Sequence, residues 1–336
     1  MTTNSDFRKD GLSFIPTTER LEGLLCENLW TPVEDFLAHP GKNIRSRLVE
    51  IGYQLAQNPP DLGGEQLENL RQASQIVECV HAGALIIDDI QDGSLVRRQR
   101  QSMHVKYGVP LALNAGNWLY FWAMDRMKAL TLAPDVRLSL MDDCLNLMLE
   151  AHYGQAIDLG ANLESFDQHE IANVCRSSME LKTSSLMALA LRMGSAVGGN
   201  AAFDPKLREL GLHLGLTLQA YDDVGNFLMK PTSEPSKRWE DLVLKRPSWI
   251  WMQVATHASP AEFKNFISAV KELPDEGATH SFSGSFQLEE KILHSAKAEL
   301  NKLVAFCDAN WSESHEQVKT KMIDIARQLE KAYVSV

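Results

Sequence analysis

Two acidic clusters, far apart along the chain, each follow an apolar, helix-like stretch. The first reads DDIQD at residues 88–92, and the second reads DDVGN at residues 222–226. Residues four apart on a helix share a face, so each cluster places several oxygen-bearing side chains within one turn. Ionised carboxylates crowded in this way resist burial unless a cation neutralises them. The pattern therefore indicates a helical scaffold that carries a polyvalent cation.

The segments that precede the clusters indicate a cavity rather than a solvated surface. A lone DDxxD is more often an acidic helix face in water. Here the runs VHAGALII at 80–87 and LHLGLTLQA at 212–220 are strongly apolar, and exposed acidic faces rarely follow such runs. Hard oxygen ligands suit Mg²⁺, which proteins hold with one or two carboxylates plus substrate phosphates. We therefore expect magnesium and a phosphorylated ligand between two helices.

The spacing of apolar residues predicts an all-α fold. Apolar side chains recur at intervals of three and four, and no sustained alternation typical of strands is present. Composition does not shift across the loops, which favours one domain over residues 1–336 with a motif-bearing core at about 35–255. The five stretches with the clearest helical period are 67–92, 136–159, 170–197, 206–228 and 289–306.

Composition excludes several functions. The chain has 336 residues, 44% of them hydrophobic, and its net charge of −11 argues against a nucleic-acid partner. No apolar run approaches the roughly 18 residues of a transmembrane segment, and the N-terminus lacks the apolar core of a signal peptide. Five scattered cysteines without metal-ligand spacing are typical of buried thiols in a reducing compartment. We expect a cytoplasmic protein.

Basic residues are clustered locally near the first acidic cluster. Lys42 and Arg45 precede it, Arg97 and Arg98 follow it, and His81 lies two helical turns before Asp88. A lone histidine on an apolar helix is more often a core residue, and an arginine pair is usually surface. Their coincidence with an acidic cluster indicates a site that grips a diphosphate.

Six short motifs, taken in order, resemble the signature of trans-isoprenyl diphosphate synthases. They are GKNIR at 41–45, HAGALIIDDIQD at 81–92, RR at 97–98, GQAID at 154–158, KT at 182–183 and QAYDD at 219–223. Each motif alone is weakly specific, but the ordered set is highly specific. The resemblance implies an isoprenoid synthase fold, a helical bundle around a central cavity for isopentenyl diphosphate and an allylic diphosphate. It also implies a homodimer.

The resemblance assigns roles residue by residue. The principal magnesium ligands would be Asp88, Asp92 and Asp222, supported by Asp89 and Asp223, with Asn226 closing the second motif. The isopentenyl diphosphate site would consist of Lys42, Arg45, His81 and Arg98. The allylic substrate would be held by Arg97, Lys182, Thr183, Gln219 and Lys237, although Lys237 reads equally well as a solvated loop lysine. The catalytic set would be Asp88, Asp92, Asp222, Lys182 and Gln219.

The chemistry that fits these residues is ionisation followed by condensation. A metal-held diphosphate leaves as a stabilised anion, and the allylic cation is attacked by the double bond of isopentenyl diphosphate. Released diphosphate then accepts a proton. Dipoles of Gln155, Asp158, Thr183 and Gln219 either face the cation or satisfy neighbouring helices.

Product length is expected from the residues before Asp88. Gly83 and Ala84 are small where bulky aromatics give short products in the family, which predicts about twenty carbons or more. Trp118, Phe121 and Trp122 either close the tunnel deeper down or pack in an ordinary core.

Two alternatives stay open. A terpene cyclase on the same scaffold ionises one diphosphate, and the intact Lys42, Arg45, His81 and Arg98 argue against it. A non-catalytic regulatory subunit usually lacks the first acidic motif, which is complete here.

Asn226 stands where the family usually has Asp, which predicts weaker metal binding.

Overall fold

Helices make up almost all of the protein, as the apolar spacing predicts. The computed structural model describes residues 18–39, 41, 43–56, 61, 63–228, 239–273, 288–311 and 315–334. Contacts between Cα atoms divide the chain into two compact units, Met1–Met141 with Met193–Ala201, and Asp142–Arg192 with Ala202–Val336. The single domain expected from composition stays a prediction.

The first unit contains a short hairpin and most of the N-terminal helices. Its elements are α1 (Glu19–Leu25), a π-helix (Cys26–Trp30), α2 (Thr31–Leu37), α3 (Ile44–Gln54), α4 (Gly64–Asp92), β1 (Val96–Arg97), β2 (Arg100–Gln101), α5 (Met103–Tyr107) and α6 (Val109–Met127). Helix α7 (Pro134–Gly160) begins in this unit and continues into the second.

The second unit is mostly helical in its described part, although residues 193–197, which end a helix that starts in this unit, belong to the first unit. After α7 come a 3₁₀ turn (Leu163–Ser165), α8 (Gln168–Met179), a second π-helix (Glu180–Ser184), α9 (Ser185–Val197), α10 (Pro205–Leu228), α11 (Glu240–Val243), α12 (Trp249–His257), α13 (Pro260–Glu272), α14 (Leu288–Asn310) and α15 (Glu316–Val334). Helix α10 packs against α14 and α15, and α12 packs against α8. All five stretches predicted from periodicity are therefore helical.

The core of the first unit forms where α4 packs along α6. The two helices approach most closely at Gly83 and Gly116. A Cβ atom on Gly83 would lie 2.8 Å from the Gly116 carbonyl oxygen, and one on Gly116 would lie 2.8 Å from Cγ1 of Ile87. Close helix packing therefore gives a reason for glycine at position 83, and the role of Gly83 in product length stays a prediction.

The hairpin between α4 and α5 was not predicted. Val96 pairs with Gln101 and Arg97 with Arg100, so Arg98 and Gln99 form the two-residue turn. Both turn residues have positive φ, 53° and 63°. A two-residue hairpin of this type usually takes Asn-Gly, because glycine adopts positive φ without strain. The turn therefore holds a strained arginine.

Two further expectations concern cysteines and membranes. All five cysteines are unpaired thiols, and four of them are buried. In the described part of the chain, no helix is long and apolar enough to cross a bilayer.

Candidate active site

The first acidic cluster occupies the C-terminal end of α4. Gly93, with φ 65°, ends the helix immediately after Asp92. The exposed carbonyls of a helix C-terminus carry partial negative charge, so carboxylates there are electrostatically unfavourable until a cation binds. Asp88 and Asp92 are both partly exposed and lie one turn apart. They can therefore supply two oxygen ligands to one metal ion.

Asp89 faces the protein interior instead. It is fully buried, and its Oδ1 accepts hydrogen bonds from Nε and Nη2 of Arg97, with the Nε donor at 2.8 Å. The same guanidinium lies 3.6 Å from Asp88. Burial raises the pKa of the Asp89 carboxyl although Arg97 opposes that rise. Asp89 therefore fixes Arg97 beside the cluster, which agrees with a supporting role.

The residues fit magnesium only with help from a substrate. Among the described residues, no three His, Cys, Asp or Glu side chains are grouped closely enough to enclose a metal ion. Magnesium does not need such a cage, since it commonly binds one or two carboxylates together with substrate phosphates and water. Asp88 and Asp92 match that requirement.

A cationic cluster lies in the same unit. Burial, followed by the charges of Arg45, Arg98 and Arg97, holds the pKa of His81 well below its usual 6.5. Within the described chain, the only hydrogen bond of the Arg98 guanidinium goes to the carbonyl oxygen of His39. Burial and then Arg97 lower the pKa of Arg98. Three guanidiniums gathered around one buried imidazole favour an anionic ligand.

The second acidic cluster lies near the C-terminal end of α10. Asp222 and Asn226 are partly exposed and one turn apart. Asp223 is buried, and both of its oxygens are occupied: Gln219 Nε2 donates to Oδ1 at 2.7 Å and the Trp249 amide donates to Oδ2 at 2.6 Å. Burial and then Asp241 raise the pKa of the Asp223 carboxyl. Asp223 therefore positions Gln219 and the start of α12 from the interior, which is compatible with a supporting role.

A π-helix presents the KT motif. Lys182 and Thr183 lie in the segment Glu180–Ser184, where the helix widens by one residue per turn. Lys182 Nζ lies 2.9 Å from Asp158, and the Thr183 hydroxyl donates to Gln219 Oε1 at 2.8 Å. Such wide turns are frequent at functional sites.

Close packing explains the glycine of the GQAID motif. A Cβ atom on Gly154 would lie 2.3 Å from the backbone nitrogen of Lys182. No side chain larger than hydrogen fits without moving one of the two helices. Gly154 therefore sets how closely the π-helix approaches α7.

Sequence reasoning missed Asp241, on α11. Burial, then Asp158 and Glu240, raise its pKa to about 7, while Lys182 opposes the rise and Asp222 adds to it. These causes place Asp241 among the charged residues of the second cluster. Its only sequence signal was an acidic pair, Glu240-Asp241, after a polar loop.

The remaining predicted residues differ in whether the structure describes them and in how far they are buried. Lys42 and Lys237 lie outside the described residues. Trp122 is buried at 7% exposure, with its ring 6.2 Å from that of Trp118. Phe121 is 71% exposed, so it does not form a tunnel floor within this chain. Ala84 is partly exposed on α4.

Comparisons with known proteins find related sequences. A family model described as Polyprenyl synthetase matches residues 26–281. A geranylgeranyl pyrophosphate synthase of Penicillium janthinellum is 29% identical over 85% of this chain and 76% of its own length. A protein named terpene synthase, from Matsumurasca onukii, is 30% identical over 65% of this chain and 66% of its own.

Solved structures share the fold. The geranylgeranyl pyrophosphate synthase of Corynebacterium glutamicum, complexed with isoprenyl diphosphate and magnesium, has a TM-score of 0.73 at 19% identity, over 91% of this chain and 90% of that one. The geranylgeranyl pyrophosphate synthetase of Pyrococcus horikoshii has a TM-score of 0.73 at 17% identity, over 90% of both chains.

Proposed function

Because the chain belongs to the polyprenyl synthetase family, has the isoprenoid synthase fold and is a prenyltransferase, we propose that it joins isopentenyl diphosphate to an allylic diphosphate. Magnesium is the proposed cofactor, and the proposed product has about twenty carbons. The observation that carries this proposal is the pairing, in one unit, of a metal-binding face at Asp88 and Asp92 with an anion-binding cluster around His81. A terpene cyclase needs only the metal-binding face.

The proposed roles follow from the contacts. In the first unit, Asp88 and Asp92 would hold magnesium and Arg97 would bind a diphosphate. In the second unit, Asp222 would hold magnesium and Lys182 would bind a diphosphate. When bound, magnesium stabilises the negative charge that develops on the leaving group. Asp89 orients Arg97, as Asp158 orients Lys182, through the ion pairs described above.

The second diphosphate is proposed to bind at the cationic cluster. Arg45 and Arg98 supply charge, and Lys42 joins them by resemblance. His81 stays neutral at physiological pH because its pKa is low, so it donates a hydrogen bond rather than a charge. The hydroxyl of Thr183 and the side-chain amide of Gln219 direct their dipoles at the developing cation. Gln219 is held in place by its hydrogen bonds to Thr183 and Asp223. Released diphosphate accepts the final proton.

We further propose a cytoplasmic homodimer. Four buried, unpaired cysteines support a reducing compartment. Exposed apolar side chains support the dimer, because isolated proteins rarely expose such continuous faces. On α6 they are Val109, Leu113 and Phe121, and on the second-unit part of α7 they are Leu145, Leu149 and Tyr153.

One assay tests the activity. The purified enzyme is incubated with magnesium, farnesyl diphosphate and labelled isopentenyl diphosphate, and the products are separated by chromatography. We expect label in a diphosphate of about twenty carbons, and none when the metal is chelated. An unlabelled hydrocarbon from farnesyl diphosphate alone would instead indicate the cyclase that the Matsumurasca relative suggests. No turnover with any allylic substrate would indicate a regulatory subunit.

A further inference from the structure

We propose that Asp35, on α2, is a positioning residue that sets the location of Arg98 from outside the active site. The inference rests on the proposed function, in which Arg98 binds isopentenyl diphosphate. None of the six sequence motifs includes Asp35. Its carboxylate instead joins three side chains that flank the strained hairpin turn of Arg98.

The turn needs support from its surroundings. Arg98 and Gln99 both have positive φ, which costs a non-glycine residue on the order of 1–3 kcal/mol. Such a conformation persists only when neighbouring contacts determine it. The hairpin itself contributes little, because each strand has two residues.

Asp35 supplies contacts on the C-terminal side of the turn. Its Oδ2 accepts hydrogen bonds from Lys106 Nζ at 2.7 Å and from the Tyr107 hydroxyl at 3.3 Å. Its Oδ1 lies 3.6 Å from Nη1 of Arg100 in β2. The hydrogen bond from Lys106 is the main reason that the pKa of Asp35 is lowered. One carboxylate thus fastens β2 and α5 to α2.

His39 supplies the contact on Arg98 itself. Its carbonyl oxygen accepts the hydrogen bond from Arg98 Nη1. Its ring Nδ1 lies 2.9 Å from the Asp35 carbonyl oxygen and 3.2 Å from Nη1 of Arg100. The chain segment that ends α2 therefore contacts the hairpin at its turn and in β2.

Packing does not replace these polar contacts. A cavity of about 360 Å³ lies between α2, the hairpin and α5, with Phe36 and Met103 in its lining. Because the space is open, the hairpin has fewer close apolar contacts at this point than in a packed interior, so the Asp35 charge matters more there. Exposed ion pairs add little to global stability, about 0–1 kcal/mol each. We therefore expect an effect on substrate binding rather than on folding.

The test measures KM for isopentenyl diphosphate and KM for the allylic substrate separately. Asp35→Asn should raise KM for isopentenyl diphosphate roughly tenfold, since displacement of a binding group by about 1 Å is costly. KM for the allylic substrate and kcat should stay within about twofold. Asp35→Glu should restore most of the affinity. Lys106→Gln, which removes the cation instead of the carboxylate, should reproduce the Asp35→Asn result.

A matched control lies on α6. Asp125 also accepts hydrogen bonds from two basic side chains, Arg126 and Lys128, which lower its pKa. Asp125→Asn removes a comparable surface network and should leave all three constants unchanged. An equal rise in KM for Asp125→Asn would overturn the inference, because the effect would then be a general loss of surface charge.

Arg98→Gln distinguishes this inference from the proposed function. We expect it to raise KM for isopentenyl diphosphate, and Asp35→Asn to add nothing further in that background. If Arg98→Gln raises KM but Asp35→Asn does not, positioning by Asp35 is wrong and the proposed site survives. If Arg98→Gln leaves KM unchanged, the assignment of the site fails and the positioning role fails with it.

Discussion

Gly154→Ala is the most informative single substitution in the second unit. The new Cβ atom would lie 2.3 Å from the Lys182 nitrogen, and ordinary contact begins at 3.4 Å, so the helices must separate by about 1.1 Å. Replacing a helical glycine gains about 1 kcal/mol in helix propensity, whereas overpacking against backbone costs about 1–3 kcal/mol. We expect a net loss of about 0–2 kcal/mol in the free energy of unfolding.

The effect on activity should be larger than the effect on stability. Lys182 and Thr183 move with the π-helix, and a misplacement of about 1 Å lowers rates by roughly a hundredfold. Thermal unfolding and steady-state kcat/KM measure the two effects. Gly160→Ala, at the end of the same helix with no atom within 4 Å of the new Cβ, is the control and should change neither. Wild-type kcat/KM in Gly154→Ala would refute the argument from close packing.

Four further predictions follow from the acidic clusters and their neighbours. Asp88→Ala or Asp222→Ala should lower kcat by several orders of magnitude at unchanged Tm; near-normal turnover contradicts the metal assignment. Asn226→Asp should lower the magnesium concentration for half-maximal rate, and an identical titration curve would show no metal role. Ala84→Phe should shorten the product toward fifteen carbons, which chromatography would detect; an unmoved distribution in an active variant opposes the tunnel. The unfolded chain protonates His81 near pH 6.5 but the native protein does not, so stability should fall below that pH. In His81→Gln, the free energy of unfolding measured with urea should change less between pH 7 and pH 5. An unchanged dependence on pH would contradict the assignment of this loss to His81.

Local patterns predicted the helices and most motif positions, because the 3.6-residue period depends only on neighbours in sequence. Asp88 and Asp92 share a face by that period alone. What the sequence could not provide depends on partners distant along the chain. The close approach of α6 to Gly83 and the 71% exposure of Phe121 follow only from packing between segments distant in sequence. The pKa of Asp241 is raised only after folding, first by burial and then by Asp158 and Glu240.

The π-helical segment Glu180–Ser184 also makes the chain sensitive to a change in length. Each residue in a helix turns the backbone by about 100°. A wide turn takes up about one extra residue, so deleting one residue from this segment would return it to a regular α-helix, leave the helices on either side nearly in phase, and turn the remaining side chains of the segment itself in new directions. The helix would survive, with the same composition and nearly the same helical content. Circular dichroism would record almost no change, yet Lys182 and Thr183 would no longer reach both Asp158 and Gln219.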